Sequence, residues 1–369
     1  MKLNLLQGEA ALQAICFKTQ ISLVRNSNMM PFKGFASSND TLAIVGNWVQ
    51  ILQRHHGFKD VTKEADLARI AEQQYHLTPE QFRSPLYRLL RLDYSPVCSI
   101  WCELMTGDHF KFSLVTASLD FAEYAQLLES ISDATAKALD YAYDPELGYL
   151  TADFTLVGTG LRINSWLHLW GLKIDSLIEQ TFNAAEVKGV SVKPSNLYLH
   201  DASCIFRFSN RFTLNLPPQQ ILHDYKTFLL RVADQEMFAR MREAYDNIDH
   251  CYELLSRIRF FCKEANLISS EEALYFLSTY WAGRAIGLIE PLNPDAYDFT
   301  DCFDNVSDTF IAQMLTTKEK TAARKLLPRA FHARLKRNDP ELLRALWLRQ
   351  LADFSFNLDF YKRLHRPKP

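Results

Sequence analysis

The 369-residue sequence contains no run approaching 18 uncharged apolar residues, so it predicts no membrane-spanning helix. Its first residues, MKLNLLQGEAALQAI, lack the apolar core and small-residue cleavage site of a secretory signal. The charge is nearly balanced, with a net value of −2, which disfavours a protein that coats nucleic acid through a general positive field. These absences lead us to expect a cytoplasmic protein.

The sequence also lacks the cysteine patterns that signal disulfides or metal. Its seven cysteines are odd in number and include neither a C-x-x-C pair nor a histidine–cysteine cluster with zinc spacing. We therefore expect reduced, mostly buried thiols and no metal site. The hydrophobic content of 48% is that of a globular protein, and the length favours a larger and a smaller domain.

Two common phosphate-binding loops are missing as well, because no segment fits G-x-x-x-x-G-K-[ST] or a complete G-x-G-x-x-G. The turn Gly158-Thr159-Gly160 nevertheless lies between two apolar runs, residues 149–157 and 163–170, and Arg162 follows it. Glycines permit positive φ and the close approach of a ligand. This pattern predicts a strand–turn–strand unit, which is either an anion site or a purely structural hairpin.

Periodicity along the chain predicts a mixture of strands and helices before residue 245 and helices alone after it. Prolines at positions 291, 294, 328 and 340 break the later helices. The predicted strands cover residues 14–24, 96–104, 110–116, 189–193 and 205–213. The predicted helices cover residues 41–54, 62–75, 118–140, 174–185 and 218 to about 245.

The central segment resembles the signature region of the ATP:guanido phosphotransferases, most closely the bacterial protein arginine kinases. GYLT at residues 148–151 and VGTGLR at residues 157–162 match it in order and spacing. IFRFSN at residues 205–210 is similar to the family's I-F-Q-I-S-N strand, and fainter matches occur at residues 23–26 and 108–109. The resemblance implies an α+β fold, in which a guanido-kinase-like antiparallel sheet flanked by helices spans residues 1–245. An all-helical C-terminal domain follows over residues 246–369.

Members of this family move a phosphoryl group from ATP to a guanidinium, which requires cations that clamp the phosphates. By resemblance, Arg162 stands at one clamp position. Lys111 replaces a second clamp arginine and loses its bidentate fork. Two further clamp positions fall on Gln20 and Ser22, and Arg25 could replace one of them under a shifted alignment. The neighbouring His109 is a further nucleotide-binding candidate.

The resemblance also assigns the catalytic positions, and both are altered. The position of the catalytic glutamate is Gly107, and the position of the reactive cysteine is Asp153. Losing two or three clamp arginines would remove about 3–9 kcal/mol of phosphate binding. We therefore expect weak binding of ATP with Mg²⁺ and no confident cofactor. Asp153 is expected either to hold an arginine side chain, from a partner or from this chain, or to be a solvated aspartate at a strand bend.

The C-terminal region carries two further candidates. Relatives bind phosphoarginine through a segment like R-D-x-x-R-A, for which this chain has PELLRA, so Glu341 and Arg344 are the phosphoarginine-site candidates and Pro340 replaces the leading arginine. The basic segment from Lys318 to Arg337 is either a solvated helix face or a nucleic-acid surface. Nucleic-acid binding is disfavoured because the segment has few interleaved aromatics.

These observations predict a pseudokinase that acts as a regulatory or binding module in a Clp-type protein quality-control pathway. By resemblance, its partners would be a zinc-binding activator protein, a Clp chaperone or another arginine-bearing protein, and it would form a homodimer. The alternative is an active protein arginine kinase with a rebuilt site, in which Asp108, Asp153 or Glu103 supplies the carboxylate.

Overall fold

A computed structural model describes residues 6–32, 38–63, 84–95, 98–194, 203–291 and 317–359. Its centre is an eight-stranded sheet with the order β2-β3-β4-β5-β1-β8-β10-β9, and every neighbouring pair is antiparallel. The strands of this sheet are β1 (Cys16–Arg25), β2 (Lys59–Asp60), β3 (Arg88–Ser95), β4 (Cys98–Leu104), β5 (Phe110–Thr116), β8 (Leu161–His168), β9 (Val190–Pro194) and β10 (Ile205–Asn210). A separate short pair consists of β6 (Tyr143–Asp144) and β7 (Gly148–Tyr149).

The middle strand β1 is buried along its entire length, and its two faces differ in chemistry. Because side chains alternate across a strand, Ile21 and Leu23 point to one face while Gln20 and Ser22 point to the other. Ile21 and Leu23 belong to the main hydrophobic core. The sheet therefore has one apolar face and one face that is polar at the middle strands.

Helices cover the apolar face. The first half of the chain contains α1 (Glu9–Ile15), α2 (Asn39–His56), α3 (Phe121–Leu139), α4 (Trp170–Ile174), α5 (Ile178–Val187) and α6 (Pro218–Asp246). Trp48 of α2, Leu128 of α3 and Leu229 of α6 are fully buried in the same core as β1. The ends of α2 follow the sequence signals, since the Ser38 hydroxyl caps its first turn and Gly57 ends it at a φ of 72°.

The remaining helices are α7 (Ile248–Glu264), α8 (Ser270–Ala285), α9 (Thr317–Leu326), α10 (His332–Lys336) and α11 (Pro340–Leu351). Part of this helical region packs on the sheet through a cluster that joins Phe17 and Trp166 to Trp347 of α11. It also contains a strand pair, β11 (Ile289–Pro291) with β12 (Phe354–Phe356), where the sequence indicated helices alone. Strands of three residues are too short to show alternation. The domain boundary at residues 245/246 stays a prediction, although α6 ends at Asp246.

Three other segments differ from the sequence predictions. Residues 149–157 do not form one strand, because β7 ends at Tyr149 and a 3₁₀ turn follows at Phe154–Leu156. The helix predicted over residues 174–185 is divided between α4 and α5, with Ser176 at a φ of 58° between them. The sequence patterns predict no strand over the residues that form β3. The helix predicted over residues 62–75 lies almost wholly outside the described residues.

Within the described ranges, no helix is long and apolar enough to cross a bilayer.

A buried ionic network connects the sheet to the helical region. The Glu236 carboxylate accepts from Arg240 Nε at 2.5 Å and from two backbone N–H groups at the start of α4 at 2.8 Å. Arg240 in turn donates to His168 Nδ1 and to its carbonyl oxygen, and His168 Nε2 contacts the Ser278 hydroxyl of α8 at 2.7 Å. Burial holds the pKa of His168 well below its usual value, so this imidazole is neutral at pH 7.

We expect Glu236→Gln to lower the free energy of unfolding by about 3–5 kcal/mol, because it leaves the Arg240 guanidinium buried without its counter-charge. Arg240 and Glu236 are 1% and 0% exposed. Glu253→Gln is the matched control, since Glu253 and Arg257 form the same i,i+4 pair on the surface. Urea denaturation of both variants measures the difference. Equal losses would show that the network does not stabilise the junction.

Candidate active site

A polar cavity of about 360 Å³ lies over the middle strands, on the sheet face opposite α2 and α3. Strands β1, β5, β8, β9 and β10 form its floor, and the loops before β5 and β8 form its sides. Four cationic side chains and two carboxylates line it. The lining residues are Ser22, Val24, Thr106, Asp108, Lys111, Asp153, Leu156, Arg162, Asn164, Ser191, Lys193, Arg207 and Ser209.

Arg162 lies in this cavity, as the resemblance implies, but its guanidinium is already engaged. It donates to the Asp153 carboxylate at 3.0 Å, to the Thr155 hydroxyl at 2.9 Å and to the Asn210 carbonyl at 2.7 Å. The same Asp153 caps the 3₁₀ turn by accepting from the Thr155 N–H. Asp153 thus holds an arginine side chain, and that arginine belongs to this chain.

Lys111 also lines the cavity and is paired. Its ammonium lies 2.9 Å from Glu103 Oε1, on the neighbouring strand β4. Glu103 is completely buried beneath it and does not line the cavity. The carboxylate of Glu103 therefore largely compensates the positive charge of Lys111.

The loop before β5 contains Asp108 and Gly107. Asp108 lines the cavity, and its Oδ1 accepts from Asn26 Nδ2 at 2.6 Å and from the Ala152 N–H at 2.5 Å. Gly107 has a φ of 136°, a backbone conformation that a residue with a Cβ rarely adopts. The loop has thus taken a course that a glutamate at this position would strain.

Two predicted nucleotide-binding residues, Arg25 and His109, are not among the residues that line the cavity. Arg25 is 2% exposed, stacks on the Tyr149 ring at 3.5 Å, and donates to the Thr159 carbonyl. His109 accepts from the Ser27 N–H at Nδ1 and contacts the Pro31 carbonyl through Nε2, and burial lowers its pKa. Both side chains hold loops together beside the cavity.

The glycines of the central turn serve backbone packing. Gly160 has a φ of 69°, and a Cβ there would clash with the Val24 carbonyl of β1. Gly158, at a φ of 114°, lies in the same way against the Thr213 carbonyl. Glycine is therefore required at both positions because protein backbone lies close by. The sequence had suggested that a ligand approaches there.

The two C-terminal candidates differ in exposure. Arg344 is 2% exposed in α11 and donates to the Ile268 carbonyl at 3.3 Å, and burial lowers its pKa. Glu341 is on the surface, 3.7 Å from Arg334. This arrangement gives Arg344 a packing role in the helical core and does not place it on a ligand-binding surface.

The sequence predictions did not include two cations of the cavity, Arg207 and Lys193, as binding residues. They are directly opposite each other across β10 and β9, so their side chains share one face. Neither has an ion-pair partner within the described part of the chain. The available signal was the arginine within IFRFSN, where the resembling strand has glutamine.

The described residues contain no group of histidine, cysteine and carboxylate side chains that could hold a metal ion. The two carboxylates of the cavity, Asp108 and Asp153, are both engaged by protein donors. Arg207 and Lys193 are therefore the groups most available to a ligand, and their chemistry favours an anion.

An antiparallel sheet with helices on one face and a cationic cavity on the other defines a guanidino-kinase fold. The crystal structure of lombricine kinase has this fold, with a TM-score of 0.50 and 14% identity over 64% of this chain and 70% of that chain. Residues 70–239 match the family model of the ATP:guanido phosphotransferase C-terminal catalytic domain. Over these residues the chain is similar to the ATP:guanido phosphotransferases.

Within that family the chain is similar to protein-arginine kinases. It is 33% identical over 193 residues to the protein-arginine kinase of Clostridium kluyveri, a match that covers 50% of this chain and 54% of that protein. It is 24% identical over 343 residues to that of Symbiobacterium thermophilum, covering 88% of this chain and 91% of the relative. The first match thus spans about half the length of the relative. The predicted resemblance to this family and the predicted α+β fold are both confirmed.

We expect Asp153→Asn to tighten the binding of tripolyphosphate by about two- to fivefold, because it removes a negative charge and releases Arg162. Asparagine keeps the oxygen that caps the 3₁₀ turn, so the fold should be retained. Calorimetric titration at fixed salt measures the effect. Glu186→Gln is the control, since Glu186 pairs with Arg211 outside the cavity. Weaker binding by Asp153→Asn would mean that the pair positions Arg162 for the anion.

Proposed function

We propose that this chain is a protein-arginine-kinase-like module that binds an anionic ligand but does not transfer phosphate. The observation that carries the proposal is the pairing of Arg162 with Asp153. In the resembling enzymes this aspartate position holds a thiolate beside the substrate guanidinium. Here a carboxylate occupies it and neutralises the cation that the phosphates would need.

The lack of a suitable base supports the same proposal. Gly107 has no side chain, and the backbone conformation of the loop is one that glycine favours. General-base catalysis contributes about 10²–10⁴ in rate, and it requires a group within hydrogen-bonding reach of the substrate. On the clamp side, Gln20 and Ser22 of β1 replace the two arginines that the resemblance implies.

We further propose that the module works through protein partners, in a Clp-type quality-control pathway with a zinc-binding activator or an arginine-bearing protein, and as a homodimer. The similarity to protein-arginine kinases supports this part of the proposal. Co-purification of tagged chain with such partners tests it, and a monomer that captures none of them would contradict it.

One observation favours an active enzyme with a rebuilt site as the second candidate. Of the three carboxylates that could act there, Glu103 is buried under Lys111, and Asp153 is held by Arg162. Asp108 remains, and it lines the cavity one residue from the position of the family's glutamate. Its second oxygen, Oδ2, would have to serve as the base.

We expect no acid-labile phosphate when the chain is incubated with ATP, Mg²⁺ and an arginine-rich protein, because the clamp and the base are both incomplete. An active protein-arginine kinase serves as the positive control for the assay. Transfer above background would overturn the proposal. If Asp108→Asn then reduced that transfer by about 10²–10⁴-fold, the second candidate would be established.

A further inference from the structure

We propose that Arg207 and Lys193 form the ligand-binding centre of the cavity and that they bind a single phosphoryl group. The inference rests on the proposed function and names the chemistry of the ligand. The phosphoryl group belongs either to free phosphate or to a phosphorylated side chain of a protein.

The position of the two residues supports a shared ligand. Arg207 on β10 and Lys193 on β9 are cross-strand partners, for which Cβ atoms are about 4.5–5.5 Å apart. Both line the cavity, together with Ser191 and Ser209, which are cross-strand partners in the same way. Two cations and two hydroxyls on one face offer the donors that an oxyanion accepts from.

The charge state of Arg207 gives an independent reason. Burial lowers the pKa of its guanidinium, and its Nε is buried without a hydrogen-bond acceptor in the described part of the protein. Arg207 as a whole is half-buried, and a partly buried cation without a counter-charge carries a cost that an anion in the cavity would reduce. Lys193 is exposed at the edge of the sheet and can move onto the same anion.

The rest of the cavity limits the ligand to about one phosphoryl group. Arg162 is compensated by Asp153 and Lys111 by Glu103. Lys111 lies three strands away from Arg207 in the sheet order, which is about 14 Å at the usual strand spacing. A polyphosphate that extended from Arg207 toward β5 would therefore meet neutralised pairs and the Asp108 carboxylate.

The experiment compares Arg207→Gln with Arg211→Gln in the full-length chain. Glutamine is the residue of the resembling strand, so the first variant is compatible with the fold. Arg211 lies four residues further on, pairs with Glu186 and does not line the cavity. The probes are inorganic phosphate, phosphoarginine and tripolyphosphate, titrated by calorimetry or phosphorus NMR at constant ionic strength.

We expect Arg207→Gln to weaken the binding of phosphate and phosphoarginine by about 10- to 100-fold, the loss of one charge-assisted interaction. Arg211→Gln should stay within about twofold of the parent chain. Lys193→Gln, at the sheet edge, should also weaken both probes and serves as the second variant if Arg207→Gln does not fold. Tighter binding of phosphoarginine than of phosphate would identify a protein side chain as the source, and the reverse would identify free phosphate.

Unchanged phosphate binding in both Arg207→Gln and Lys193→Gln would overturn the inference. So would tripolyphosphate binding that exceeds phosphate binding more than about 100-fold and depends on Arg162 but not on Arg207. Failure of the proposed function is distinguishable, because it would show as phosphate transfer from ATP, which these titrations do not measure.

Discussion

The alternation of β1 is the constraint on which the rest of the structure depends. Its odd-numbered positions Ile21 and Leu23 pack on the helix layer, and its even-numbered positions Ser22 and Val24 line the cavity. Because this strand is buried at every position, a change on the polar face is also a change in the interior. A different residue at Gln20 or Ser22 leaves the apolar face intact, because both side chains lie on the polar face. The fold can therefore persist while the phosphate site changes, since stability and ligand binding use opposite faces of the same strand.

The local elements were predictable from sequence because their signals are local. Ser38 and Gly57 delimit α2 as the capping rules predict, and the hairpin of β4 and β5 follows from two alternating runs around a polar turn. Which arginine lines the cavity and which binds to the protein itself was not predictable in this way. Arg25 is removed from the site by stacking on Tyr149, 124 residues later in the chain, and Arg344 is buried by the helices that surround α11. Whether an arginine binds a ligand or the protein itself depends on tertiary neighbours that periodicity does not reveal.

The pairing of Arg162 with Asp153 shows why a motif match can be right in position and different in chemistry. The glycine turn directly precedes β8, and Arg162 is the second residue of that strand. A single carboxylate nine residues earlier converts a free cation into one half of an ion pair. With Lys111 compensated by Glu103 as well, the positive charge moves to the β9–β10 side of the cavity. In the proposed function the cavity remains an anion site, with its centre at β9 and β10.

If the chain lacks phosphate transfer, as we propose, one or two substitutions would not restore it. A cysteine in place of Asp153 would release Arg162, yet the short side chains at Gln20 and Ser22 would still leave the other end of a triphosphate without arginines. A glutamate in place of Gly107 would have to adopt a φ near 136° or move the loop that Asp108 anchors through Asn26 and Ala152. Strain of that kind costs about 1–3 kcal/mol. Restoring a glutamate at this position therefore depends on rebuilding the loop around it.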